Sequence, residues 1–205
     1  MSILGKLSFK DQAFRLREDA ILDACTRILV SKGFDLMTMD DVANEVGISK
    51  PSLYKHFKSK DDLACEAMVR LLDGAQEFLD QLPASHDGRQ VLHDMLEWAL
   101  RVRLGGGLPF LPSTSPQVKE MLTRHLGYVA RAMKLHSRLA KHVKQAQKAG
   151  LLRKDLHEDV ILFSFYARTC DPAVEYLKRY SKLDDEAIVS QMLTVCFEGL
   201  GSPGG

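Results

Sequence analysis

Two helix-start signals, at Thr38 and Ser49, with Gly47 between them, constrain this chain more than any other feature. Thr38 is followed at its third helical position by Asp41, the spacing of a reciprocal capping box. Ser49 precedes Lys50-Pro51, and proline is tolerated there because first-turn amides have no intrahelical acceptor to lose. Gly47 permits a tight turn, so residues 38–57 read as two short helices meeting at an angle. Residues 11–32 form a helix before them, with Leu16, Ala20, Ile21, Ala24, Ile28 and Leu29 on one face. Gly33 stands where a left-handed C-terminal cap is commonly needed. After them, Ser59 to Asp62 is a third capping signal. It opens a helix to about Leu82, striped by Leu63, Ala67, Leu71, Ala75, Phe78 and Leu82, which can join an N-terminal head to a C-terminal body.

A short second helix carried on a packed three-helix head is a helix-turn-helix, and the DNA major groove is wide enough to admit it. The local charge agrees. Between Glu45 and Asp61 the charged residues are Lys50, Lys55, Lys58 and Lys60, with His56 beside them and no acid. The net charge of +1 says little by itself, because phosphate binding depends on where the charge lies.

The stretch Thr38-Met-Asp-Asp-Val-Ala-Asn-Glu-Val-Gly-Ile-Ser-Lys-Pro-Ser-Leu-Tyr-Lys-His-Phe57, followed by Lys58-Ser-Lys-Asp-Asp-Leu63, resembles the N-terminal segment of the tetracycline repressor family. Within it Val42, Ala43, Val46, Ile48, Leu53 and Phe57 are the expected core of the head. The resemblance implies that Lys50, Pro51 and Ser52 approach bases, Lys50 by donating to guanine and Pro51 by apolar contact with a thymine methyl. It also implies that Thr38, Ser49, Tyr54, Lys55, His56 and Lys60 approach the phosphate backbone. Pro51 and His56 depart from common family usage, small residues and Tyr being frequent at those two sites, so base preference does not transfer. For Tyr54 and His56 the competing reading is packing against the head or the fourth helix. For the basic residues it is a solvated face, which suits Lys58 best; Lys6, Lys10, Arg15 and Arg17 are either solvated or extra phosphate contacts.

The remainder reads as helical throughout. Leu, Ala, Met, Glu, Lys and Arg recur with an apolar period of three to four, without the alternating β-branched runs of strands. Helices are expected over about 90–104, up to 149 with a break near Gly127, over about 156–180, and over about 184–198; residues 105–116 form the longest loop, and 201–205 a frayed tail. The fold class is therefore all-α, and the resemblance implies a helix-turn-helix head over residues 11–58 and a helical ligand-binding and dimerisation domain over 59–200. No stretch is apolar enough to span a bilayer and no secretory signal opens the chain, so cytoplasmic residence without a membrane partner is expected. Cys25, Cys65, Cys170 and Cys196 are widely spaced, which favours buried thiols over a disulfide framework or a zinc site.

The resemblance implies a homodimer through the last two helices, in which Phe165, Val174, Leu177, Ile188, Met192, Val195 and Cys196 serve as interface or core, and a palindromic double-stranded operator. It also implies a small-molecule pocket in the body. Met95, Trp98, Leu122, Leu126, Tyr128, Val129, Met133 and Phe163 either line such a pocket for an apolar effector or fill the core. Gly105-Gly-Gly107 lacks the spacing and terminal Lys-Ser/Thr of a phosphate loop. Residues 119–154 hold many basic residues and one acid, Glu120; Arg131, Lys134, Arg138, Lys141 and Lys148 can share a face that is either solvated or meets an anionic partner. His125, Asp171, Glu175 and Cys170 supply no nucleophile motif or paired metal-ligand spacing, so neither catalysis, a cofactor nor a metal is expected. The leading expectation is a repressor released by an effector. The alternatives are an effector-independent or activating regulator, and a small-molecule-binding helical dimer without DNA readout.

Overall fold

The computed structural model describes residues 8–108, 115–169 and 171–200. Lys6, Cys170, residues 109–114 of the 105–116 loop and the glycine-rich tail lie outside the described residues. Among the described residues there are ten helices and no strand: α1 (Phe9–Leu36), α2 (Met39–Val46), α3 (Lys50–Leu53), α4 (Lys60–Gln81), α5 (Gly88–Leu104), α6 (Pro116–Arg124), α7 (Leu126–Ala149), α8 (Glu158–Thr169), α9 (Ala173–Tyr180) and α10 (Asp185–Phe197). They divide into two compact units, Met1–Ala67 and Met68–Gly205. The division falls within α4, later than the sequence boundary at 58/59, because the first two turns of α4 cluster with the head.

In the head, α1 packs on α2 and α2 on α3. The buried face of α1 is Ile21, Ala24, Cys25, Ile28, Leu29 and Phe34. Leu16 and Ala20, expected on that face, are exposed, Leu16 by 70%. The apolar stripe runs further along the helix than the core it serves. Gly33 has φ 75° and ψ 169°, so it breaks α1 with an extended kink rather than a left-handed cap. A side chain is strained in that conformation, which only glycine adopts at low cost. The kink lets Phe34 enter the core, and the Met37 amide donates back to the Gly33 and Phe34 carbonyls.

In the body, α5 is the central element, packing on α7, α8, α9 and α10. Leu92, Met95, Leu96 and Leu100 of α5 are almost wholly buried with Leu139, Leu162 and Ile188. Asp87 and Gln90 cap α5 reciprocally, and its first residue, Gly88, lies directly against the backbone of α7. Two helices differ from expectation. The break between α6 and α7 falls at His125, whose Nδ1 accepts the Tyr128 amide at 3.1 Å as an N-cap, just ahead of the expected Gly127. The expected helix over 156–180 is two helices, since Pro172 has no amide with which to continue α8 and instead stands at the start of α9.

Half of the basic side chains of α6 and α7 are paired with acids. Arg131 meets Asp73 at 2.7 Å and Arg138 meets Asp80 at 2.5 Å, both acids on α4. Lys144 reaches Glu158, and Arg124 pairs with Glu120 one turn earlier. Lys134, Lys141 and Lys148 remain on the exposed face of α7.

Candidate DNA-binding surface

The entry to α2 is fixed by the expected capping box. The Thr38 hydroxyl accepts the Asp41 amide at 3.1 Å, and the Asp41 carboxylate accepts the Thr38 amide at 3.0 Å. A third group, not legible in the sequence, completes this corner: Lys32 of α1 donates to the other Asp41 oxygen at 2.7 Å. The Lys32 hydrogen bond, with those from Thr38, holds the Asp41 carboxyl below its ordinary range. Gly47 then adopts φ 76° and ψ 34°, and the Ile48 amide donates to the Ala43 carbonyl at 2.9 Å, closing the turn that aims α3. The glycine is required there by its left-handed backbone.

Only four residues long, α3 is held from beneath by Leu53 and Phe57, both buried. Its other side carries Lys50, Pro51, Tyr54 and Lys55, all exposed, with Ser49 exposed at its cap and Ser52 half-buried. The Ser49 hydroxyl accepts the Ser52 amide at 3.4 Å, a long contact that leaves the cap available to a stronger partner. Val46 and Ile48, expected in the core, are half-buried at its edge. Lys50 donates to Asp40 of α2 at 2.9 Å, and that pairing raises its pKa above the ordinary lysine value. Asp40 is thus a second partner the sequence did not single out, a carboxylate beside the position assigned to base contact.

Besides Lys50, two more of the nine expected DNA contacts have competing attachments inside the head. The His56 side chain is only 2% exposed, stacked on Phe14 with ring centroids 4.2 Å apart, and its Nδ1 lies 3.6 Å from Glu18. That separation is ion-pair range but beyond a hydrogen bond. His56 therefore packs α3's exit against α1, the reading that competed with its place on the phosphate backbone. Lys60 donates to the Asp35 carbonyl at 3.2 Å and lies 4.4 Å from the centre of the Phe34 ring. It tethers the end of α1, although an ammonium keeps further donors to offer. Thr38, Ser49, Lys50, Pro51, Tyr54 and Lys55 remain as one exposed set on α2 and α3.

In the body, the eight expected pocket residues do not converge on one place. Tyr128, Met133 and Phe163 line a recess of about 580 Å³ between α4, α7 and α8, together with Leu72, His136 and Tyr166. The Tyr166 hydroxyl lies 3.4 Å from His136 Nδ1, and burial pushes its pKa up to about 12. Met95 and Leu122 are buried, Met95 within the α5 core. Trp98 stacks on Phe78 beside a separate recess, Val129 is half-buried and Leu126 is 83% exposed. Cys25 and Cys65 are buried thiols and Cys196 is half-buried. Burial pushes the Cys65 pKa up to about 11, which disfavours the reactive thiolate.

Residues 21–67 match the family described as bacterial regulatory proteins, tetR family. Among curated proteins, the chain is 34% identical over 82 residues to the transcriptional activator FasR of Mycolicibacterium smegmatis, covering 40% of this chain and 37% of that one. It is 24% identical over 190 residues to the transcriptional repressor KstR2 of Rhodococcus jostii, covering 91% and 92%. The chain spans 37% and 27% of the lengths of the first two curated relatives it matches. Among solved structures, AibR in complex with isovaleryl coenzyme A and operator DNA superposes with a TM-score of 0.66 over 88% of this chain and 98% of that one. At 22% identity that likeness is one of fold.

Proposed function

We propose that this chain, which belongs through residues 21–67 to the bacterial regulatory proteins of the tetR family, is a sequence-specific DNA-binding transcriptional regulator that a small molecule releases from its operator. The observation that carries the reading is the exposed row Ser49, Lys50, Pro51, Tyr54 and Lys55 on a helix buttressed by buried Leu53 and Phe57. Lys50 and Pro51 enter the major groove first, with Ser52 beside them. Tyr54, Lys55 and the cap hydroxyls of Thr38 and Ser49 hold the register on phosphates. Lys60 can add charge only from beside Asp35 and Phe34. A single head offers few contacts, so two heads on a palindrome are needed, separated by about one turn of DNA, roughly 35 Å. Exposed Val160 and Phe163 of α8 and Tyr176 and Tyr180 of α9 offer apolar area for the pairing of two bodies.

The effector is apolar or amphipathic, because the recess formed by Leu72, Met133 and Phe163 is chiefly hydrocarbon and aromatic, with His136 and Tyr166 as its polar wall. Release then requires that the effector bind one conformation of the dimer more tightly than the other. Repressor and activator names both occur among the relatives, which keeps an activating regulator as the second reading. Selection of DNA from a random pool by the purified chain tests the first step, with enrichment of a palindrome expected. If no sequence is enriched, DNA reading is refuted. A compound screen on the selected duplex tests the second, and persistent binding with every ligand that occupies the body points to the effector-independent alternative.

A further inference from the structure

Among the described residues, one donor atom from each of His93, Asp94 and Glu97 lies within 4.8 Å of the others. All three belong to α5, where positions 93 and 97 are one turn apart and share a face. Asp94 is also the meeting point of a fourth group. His86, in the loop before the helix, places Nδ1 2.9 Å from one Asp94 oxygen, while His93 Nδ1 lies 3.3 Å from the other. The His86 Nδ1 atom is buried and makes no hydrogen bond there. Two imidazoles converging on one carboxylate, with a second carboxylate a turn away, are more than a collection of surface acids.

We propose that His93, Asp94 and Glu97 form a site for a divalent late transition metal, zinc above all, with His86 orienting Asp94 from behind. The donor set decides the class. Mixed imidazole and carboxylate ligands suit Zn²⁺, Co²⁺ or Ni²⁺, whereas Mg²⁺ and Ca²⁺ take all-oxygen sets and Cu(I) seeks sulfur. Metal–ligand bonds of about 2.1 Å place tetrahedral ligands about 3.4 Å apart, so donors now within 4.8 Å of one another must close by up to about 1.4 Å. Its side chains have the freedom to do this, each being about a quarter to a third exposed. His86, with Nδ1 2.9 Å from Asp94 but not aligned for a hydrogen bond, stands where a small ring rotation would let it hold that carboxylate from outside the coordination sphere.

The surroundings provide an entry path and a way to release Glu97. His93 and Glu97 both line a recess of about 380 Å³ between α5 and α10. Glu97 is held by Arg101, with Nε 3.0 Å from its oxygen. Arg101 is also bound to Glu186 of α10 through both terminal nitrogens, at 2.5 and 2.9 Å. The guanidinium therefore remains paired when a metal takes Glu97. Metal occupancy would leave Arg101 to Glu186 alone, so the site reports on how α5 and α10 are tied.

The test uses the full chain, treated with chelator and titrated at neutral pH by calorimetry with Zn²⁺, and separately with Mg²⁺. One Zn²⁺ per chain is expected, with no comparable uptake of Mg²⁺. His93→Ala and Glu97→Gln should each weaken Zn²⁺ binding at least about tenfold, and His86→Ala less than either. His157→Ala, at an exposed histidine paired with Asp159 outside the cluster, should leave it unchanged. Co²⁺ bound to the unaltered chain gives a readout independent of any variant's folding, and its visible spectrum should lack thiolate charge-transfer bands. Absence of Zn²⁺ uptake, affinity unchanged from the unaltered chain in the His93 or Glu97 variant, equal Mg²⁺ binding or a thiolate spectrum would each overturn the proposal. Operator binding does not enter any of these measurements.

Discussion

Gly88→Ala and Gly74→Ala make the same chemical change, one added methyl, and should move stability in opposite directions. Both glycines lie in helices, α5 and α4, and neither has a positive φ, so the backbone accepts alanine at each. Intrinsic propensity favours alanine over glycine in a helix interior by roughly 0.5–1 kcal/mol. At Gly74 nothing lies within 4 Å of the added carbon, so that gain should be realised. At Gly88 the same carbon would stand 2.1 Å from the His142 carbonyl oxygen, with the Ala146 amide nitrogen at 3.1 Å. Both neighbours are backbone atoms inside α7, without a rotamer to relieve the contact. The start of α5 must retreat from α7 by about 1 Å, and overpacking of this kind costs about 1–3 kcal/mol, more than the propensity gain. For a chain of this size the result is a thermal midpoint lower by roughly 3–10 °C for Gly88→Ala, and higher by a few degrees for Gly74→Ala. Thermal unfolding followed by far-ultraviolet circular dichroism, at one protein concentration, reads both. An unchanged or raised midpoint for Gly88→Ala would refute the claim that α5 and α7 touch backbone to backbone.

Asp40→Asn should tighten DNA binding several-fold at low salt, since it releases Lys50 and removes a carboxylate from the proposed surface; weaker binding in a gel-shift titration would show that Asp40 positions Lys50 instead. Lys50→Ala should change base preference at one operator position, and an equal loss on every sequence would move Lys50 to the backbone class. His56→Ala should lower the unfolding midpoint of the head while leaving the salt slope of DNA binding unchanged, because its ring packs on Phe14; a slope reduced by about one would return it to phosphate. Asp41 has a folded-state pKa below its ordinary 3.8, so its contribution is fully present above that value and is lost as pH falls through the lowered one. Asp41→Asn should accordingly be less stable than the parent at neutral pH and converge with it in acid, a difference that pH-dependent denaturation measures.

The head was legible in the sequence because its decisive interactions are local. The Thr38–Asp41 box, the Gly47 turn and the Ser49 cap all act across a few residues, and each appears where its spacing placed it. What was not legible is what comes from elsewhere in the chain. Lys32 reaching Asp41, Phe14 covering His56 and Phe34 beneath Lys60 all depend on how α1 lies in the head, which periodicity does not encode. Leu16 shows the same gap from the other side, an apolar residue on the right stripe but beyond the packed core. In the body, helical faces identified apolar residues without saying which were core, as Met95 is, and which border a recess, as Met133 does. The His86–Asp94–His93 grouping was invisible for a related reason: one of its imidazoles comes from a loop, and its spacing matches no common ligand motif.

The two ion pairs between α4 and α7 share a spacing, for Asp73 and Asp80 are seven residues apart and so are Arg131 and Arg138. Seven residues are two turns, so both pairs stand on one seam and engage together. A slide of α4 along α7 by a single turn breaks both, and only a slide of two turns, about 10 Å, brings one acid opposite an arginine again. The seam acts as a two-toothed rack. It resists travel along the axis, and with its two contacts about 10 Å apart it also resists a change of crossing angle between the helices.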